Sequence, residues 1–398
     1  MNKKVLPRRG LRPLDSGGIY LLAQISIYVF QSLFMLIFGL MVQNNVVSDT
    51  PLAHMIVGDI VMCINAAVFI LTPFIYGRFT GVSFAGELDM KRGVSPVQVL
   101  LLIVIAWCSI VAFMPVSSLF IEGMKMAGYH YEITAPIYVE NFGYLVLSII
   151  FVAVLPAVAE EIMFRGFVSK GLRKKGMIAA ILMSSILFAT MHGNLLQLIY
   201  QFFLGVVLIV VYFATRSIYA SITVHLTNNA TALIINYILY HTTGSMDFDI
   251  PLKGAALVFA SLGVGLLGFG LLCLVMWGFL RVTRKRQDAY VGDRHVDIAT
   301  MRVYGKHNKK GTNFVTRMLD ELKYLNYSFE EQQMELDARP VEAAQFAAAE
   351  TDTDRQYYSD LLRARGERER RWDRNMLVMA FLFNAFTLFV NIIGAFRG

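Results

Sequence analysis

From residue 19 onward the chain alternates apolar runs of about twenty residues with short polar or basic stretches. About twenty residues in an α-helix rise roughly 30 Å, the thickness of a bilayer's hydrocarbon core. The runs at 19–42, 55–76, 97–115, 142–164, 177–191, 195–214, 218–240, 254–280 and 376–396 therefore predict about nine transmembrane helices. The first follows a basic start, "MNKKVLPRRGLRP", as a signal peptide would. It is too long for such a peptide's apolar segment and no small-residue cleavage pattern follows, so it is expected to stay as a spanning helix. One block breaks the alternation. Residues 283–374 hold more than half of the acidic residues, nearly balanced by Lys and Arg, in helix-forming stretches such as "DRQYYSDLLRARGERERRW". Asp352 and Asp354 suit the N-cap of that last stretch, which would run on into the final span.

The chain thus divides into residues 1–140 with the first three helices, 141–240 with the next four, 241–282 with the eighth, a charged insertion at 283–374, and 375–398 with the ninth. Composition agrees. The chain is 56% hydrophobic and 16% charged, with a mean hydropathy of +0.54, whereas soluble domains carry about 25% charged residues. The expected fold class is all-α: a polytopic helical membrane protein with a helical cytoplasmic insertion before the last helix.

The net charge of +7 is explained by placement. Lys3, Lys4, Arg8, Arg9 and Arg12 precede the first span, and Arg78, Lys91 and Arg92 follow the second. "SKGLRKKG" follows the fourth, Arg216 the sixth and "RVTRKR" the eighth, while the intervening loops are nearly free of cations. By the positive-inside rule the N-terminus and the 283–374 insertion are cytoplasmic and the C-terminus lies outside. Trp277 and Trp372 fall near the cytoplasmic interface. The partner implied by the basic residues is the bilayer, with no nucleic acid. Cys63, Cys108 and Cys273 lie in separate apolar runs and read as small buried hydrophobes.

Three acids lie within or at the edge of these runs: Asp59, Glu160 and Glu161. Asp59 is close enough to the end of its span to reach the interface. The pair in "PAVAEEIMFRGF" is harder to accommodate, because an ionised side chain in hydrocarbon costs several kcal/mol and is rare without a function. Glu161 and Arg165 are four residues apart and share a helix face, so they can pair. Glu160 then points about 100° away around the helix. Pro156, one turn upstream, removes a backbone donor and loosens the helix. His192 in "LFATMHGN" and His225 and Asn229 in "VHLTNNAT" lie in later spans, His225 and Asn229 one turn apart. A single histidine on an apolar face is usually a satisfied core residue, as His54, His130, His241, His295 and His307 are expected to be ordinary interface or loop residues. Convergence of acids, two histidines and an amide on consecutive spanning blocks points instead to a site.

"EEIMFR", "FATMH" and "HLTNN" stand in the order and spacing of the E-E-x-x-x-R, F-x-x-x-H and H-x-x-x-N motifs, and residues 140–240 thereby resemble the core of the CAAX-protease and bacteriocin-processing (CPBP) family of intramembrane proteases, its bacterial branch in particular. The resemblance implies an endopeptidase that cleaves a membrane-associated protein or peptide in a bacterial cytoplasmic membrane. Glu160 would be the base that activates water, with His192 helping to hold that water. His225 and Asn229 would supply oxyanion donors, and Glu161 with Arg165 the support. No cofactor is required on this reading. The competing version places zinc on Glu160, His192 and His225. A proton-coupled transporter and a non-catalytic scaffold or immunity protein are the alternatives from other classes; the absence of internal repeats speaks against the first.

One geometric tension follows. A straight fifth span beginning near residue 177 places His192 roughly 22 Å from the cytoplasmic face at 1.5 Å per residue. Glu160 and His225 lie only about 13–15 Å from their nearest basic loops by the same measure. Either the fifth helix is tilted, or the fifth and sixth form a shallow hairpin that turns at "HGN".

Overall fold

Each of the nine apolar runs is helical over its described residues in the computed structural model, which describes residues 10–90, 92–129, 139–245, 254–292, Met318 and 375–392. In chain order these are α1 (Pro13–Gln43), α2 (Pro51–Thr80), α3 (Pro96–Met126), α4 (Phe142–Lys175), α5 (Met177–Thr190), α6 (Leu198–Thr215), α7 (Ile218–Thr243), α8 (Gly254–Gly292) and α9 (Asn375–Ile392). The helix-initiating groups at Asp352 and Asp354, Trp372, and nearly all of the 283–374 insertion lie outside the described residues.

Local chemistry sets the helix ends. Pro13, Pro51 and Pro96 occupy first-turn positions where the missing N–H costs nothing. Ser95 and Gln98 form a reciprocal cap, Gln98 N donating to Ser95 Oγ at 3.3 Å and Ser95 N to Gln98 Oε1 at 2.9 Å. Asn141 opens α4 by accepting from Tyr144 N at 2.9 Å. Gly81 and Gly244 stop α2 and α7 at φ +79° and +76°.

Seven helices are long and apolar enough to cross a bilayer among the described residues, with α5 and α7 falling short. α5 has 14 residues, about 21 Å of rise. α7 is long enough, but Thr223, His225, Thr227, Asn228, Asn229 and Thr231 interrupt its apolar character. The outer surface of the bundle is correspondingly greasy. Leu36, Leu100, Phe259, Leu266 and Leu267 are all exposed, as side chains that face lipid are. The protein is a polytopic helical membrane protein.

α4 is the axis of the fold. It packs against α1, α2, α5 and α7, and Ala157, Ala159, Met163, Phe164, Phe167 and Leu172 are fully buried along it. Helices cannot be driven together by hydrophobicity inside lipid, so small residues that allow close backbone approach carry the packing. At Gly171 a Cβ would lie 2.1 Å from Ser16 Oγ and 2.5 Å from the Arg12 carbonyl oxygen. At Gly268 it would lie 2.6 Å from the Ala112 nitrogen, so α3 and α8 meet backbone to backbone.

The basic residues gather at one end of the bundle. Lys170 Nζ contacts Asp89 Oδ2 at 2.9 Å and Glu87 Oε2 at 3.5 Å, and the Tyr212 hydroxyl donates to Asp89 Oδ2 at 2.7 Å. Burial, and then the nearby charges of Arg92 and Arg173, pull the Arg216 guanidinium down to about 9. The loops after α2, α4 and α6 therefore share one end, as alternating basic loops require.

Replacing Gly268 with valine forces the α3 and α8 backbones apart. We expect a loss of about 1–3 kcal/mol from overpacking, read as a lower unfolding midpoint in detergent, with Gly270→Val, where nothing lies within contact distance, as the neutral control.

Candidate active site

The glutamate pair sits in a helix whose winding changes on both sides of it. α4 is α-helical over Phe142–Ser148, π-wound over Ile149–Val154, α-helical over Leu155–Glu161 and π-wound again over Ile162–Val168. π-turns are rare and accompany functional sites, because the wider turn frees backbone groups and re-aims side chains. Pro156 contributes directly. It has no N–H to give the Val152 carbonyl one turn earlier, and that carbonyl accepts from Asn229 Nδ2 of α7 at 3.4 Å. The loosening that Pro156 predicts is thus compensated from another helix.

Glu161 is fully buried and Arg165 is 1% exposed. Arg165 Nε lies 3.0 Å from Glu161 Oε2, and Arg165 Nη2 donates to the Gly205 carbonyl at 3.3 Å. Its guanidinium also stacks over the Phe188 ring at 4.8 Å, an arrangement that suits a desolvated cation. The Ser221 hydroxyl, one turn before His225 on α7, donates to the Ile218 carbonyl at 3.1 Å, and the other Glu161 oxygen accepts from His225 Nδ1 at 3.0 Å. His225 Nε2 is thereby turned toward Glu160, 3.9 Å from its Oε2. That separation is too long for a direct hydrogen bond, and among the described residues no hydrogen-bond donor reaches Glu160 Oε2.

His192 comes to this cluster through the hairpin. α5 ends at Thr190, the chain reverses through Gly193 at φ +63°, and a short turn at Leu195–Gln197 leads into α6. α5 and α6 pack along each other on either side of this turn. The Phe188 ring lies 5.3 Å from the His192 ring and 5.8 Å from the His225 ring, which places the two histidines around one aromatic spacer. His192 Nδ1 donates to the Phe188 carbonyl at 2.9 Å. A carbonyl can only accept, so the Nδ1 proton is held there and Nε2 is the open nitrogen.

Asn229, expected beside His225 as a donor, has one amide hydrogen engaged by Val152 and accepts from Asn228 Nδ2 at 3.3 Å. Asn228 in turn accepts from the Tyr200 hydroxyl at 2.5 Å. Tyr200, Asn228 and Ser221 were not singled out from sequence. Polar residues three or four positions from His225 on α7 are the signal that was available for the last two; Tyr200, on α6, gave none. Asp59 takes no part in the cluster.

The zinc set of Glu160, His192 and His225 does not fit a metal centre in this arrangement. No three His, Cys, Asp or Glu side chains among the described residues are grouped to hold an ion.

Residues 142–231 match the family model of Type II CAAX prenyl endopeptidase Rce1-like proteins. The matched segment contains all six expected site residues and does not distinguish the bacterial branch. No curated protein and no solved structure matches the chain.

Removing one partner of a buried ion pair leaves the other charge uncompensated, at a cost of about 3–5 kcal/mol. Arg165→Met should accordingly lower the unfolding midpoint in detergent sharply, and the Glu161→Gln, Arg165→Met double substitution should recover much of that loss.

Proposed function

We propose that this integral membrane protein, whose residues 142–231 match a CAAX-endopeptidase family model, cleaves a peptide bond of a membrane-associated protein or peptide with a water molecule activated by Glu160. The observation that carries the reading is the cluster itself: Glu160 Oε2 opposite His225 Nε2 at 3.9 Å, with His225 held from behind by Glu161 and Arg165.

Peptide hydrolysis needs a base for water, donors for the oxyanion and a proton for the leaving amine. Glu160 takes the water's proton as its oxygen attacks the carbonyl carbon, and later gives that proton to the amine nitrogen as the C–N bond breaks. His225, oriented by the Glu161 carboxylate as a catalytic imidazole is by a neighbouring acid, presents Nε2 to the same space and donates to the developing oxyanion. His192 Nε2, open because Nδ1 is committed to Phe188, helps to hold the water. The remaining amide hydrogen of Asn229 is a second donor to the oxyanion. In a site shielded from bulk water each of these interactions is stronger than in solution.

The basic end of the bundle supports a cytoplasmic N-terminus and insertion, which puts the site about 13–15 Å from the inner face by helical rise. A proton-coupled transporter would string its polar groups across the bilayer, whereas these converge on one place.

Glu160→Gln keeps the shape and removes the base. We expect cleavage of a membrane-anchored reporter in proteoliposomes to fall by about 10²–10⁴-fold while the unfolding midpoint stays close to that of the parent. Full activity in the variant would remove Glu160 as the base. In the same assay, treatment with a strong zinc chelator should leave the rate unchanged; a rate lost to chelation and restored by zinc would overturn the metal-free step.

A further inference from the structure

The turn that carries His192 is held by groups from outside residues 142–231. Asn391 Nδ2 of α9 donates to the Gly193 carbonyl at 2.6 Å. Gly193 sits in a left-handed conformation at φ +63°, and a Cβ there would lie 3.0 Å from that same Asn391 nitrogen. Two helical turns earlier on α9, the Asn384 amide donates to Thr190 Oγ1 at 2.7 Å and to the Tyr20 oxygen at 2.6 Å. The Tyr20 hydroxyl donates onward to the Leu187 carbonyl at 3.1 Å, and Thr190 to the Ile186 carbonyl at 2.7 Å. In this assignment every donor in the network has an acceptor.

The sequence context makes these bonds more than incidental. Asn384 and Asn391 stand in "FLFNAFTLFVNII", seven residues apart and so on one face of an otherwise apolar helix. An amide in such a helix is retained where a partner helix satisfies it. α9 is itself braced on α1: a Cβ at Gly17 would lie 3.1 Å from the Met376 carbonyl carbon, and the Tyr28 and Phe383 rings meet edge to face at 5.8 Å. α1 and α9 thus clamp the last turn of α5 and the reversal after it. His192 lies between the two clamped points, Thr190 and Gly193.

We propose that α9, with Tyr20 of α1, is the positioning element for His192, and that Asn384 and Asn391 are positioning residues for the cleavage reaction. The inference rests on the reading of His192 as part of the active site. The Phe188 carbonyl orients the imidazole; the asparagines set where the backbone that carries it stands. A small displacement there moves Nε2 relative to the Glu160–His225 pair, and misplacement by about an ångström can cost a hundredfold in rate.

The test uses the full chain in lipid nanodiscs, with Asn391→Leu and Asn384→Leu, and reads hydrogen exchange alongside kinetics. The expected result is faster exchange of the Met191–Asn194 amides, with exchange in α4 around Glu160 unchanged. Cleavage of the membrane-anchored reporter should show kcat lower by about ten- to a hundredfold with KM within about twofold. Adding Asn391→Leu to His192→Ala should lower kcat no further, because the residue to be positioned is gone. Unchanged exchange at the turn, or an equal further fall in the His192→Ala background, would overturn the proposal. Should either leucine variant fail to insert, Gly17→Val, which pushes α9 away from α1, is to be read in the same way. The exchange measurement stands even if no cleavage is found, so failure of the clamp and failure of the protease reading are separate outcomes.

Discussion

A buried carboxylate needs a counter-charge, and the Glu161–Arg165 pair is the constraint from which the rest of the site follows. In hydrocarbon neither ion survives alone, and one turn of helix supplies both. The pair's remaining valences are then met from other helices: His225 of α7 bonds the free carboxylate oxygen, the Gly205 carbonyl of α6 takes one guanidinium hydrogen, and the Phe188 ring of α5 covers the guanidinium face. Four helices are thereby registered around one ion pair. Glu160, next in sequence but rotated around the helix, is left facing His225.

The backbone of α4 accommodates this at some expense. Two π-wound stretches flank the glutamates, and a proline withholds a hydrogen bond that a side chain on α7 provides instead. Strain and loosened winding of this kind persist only where the surroundings compensate for them, and the fully buried face of α4 does so. The short α5 serves the same end. A helix of full span would have carried His192 past the glutamates; one of 14 residues, reversed at a glycine that can adopt positive φ, leaves it level with His225 across a single phenylalanine.

Much of the site was legible before any coordinates. The acids and histidines stood out because charged and ionisable groups in apolar runs are costly, and spacing alone paired Glu161 with Arg165. The partner of His225 was not legible: nothing in the spacing distinguishes Glu160 from Glu161 as its neighbour across 64 residues of chain. The two asparagines of α9 were equally invisible as site elements. Their seven-residue spacing was available, but their target is a backbone carbonyl nearly two hundred positions away, and backbone carbonyls leave no mark in a sequence.

Taken alone, then, the order of residues determined that this chain lives in a bilayer as helices, which stretches form them, and which few groups are too polar to be there without a reason. These follow from transfer energies and helix geometry, which act locally. Tertiary structure decided which carboxylate orients the imidazole, which ring stands between His192 and His225, and which distant helices hold the turn in place. Those depend on how rigid helices of fixed length cross and rotate against one another, a property of the assembled bundle that no single segment contains.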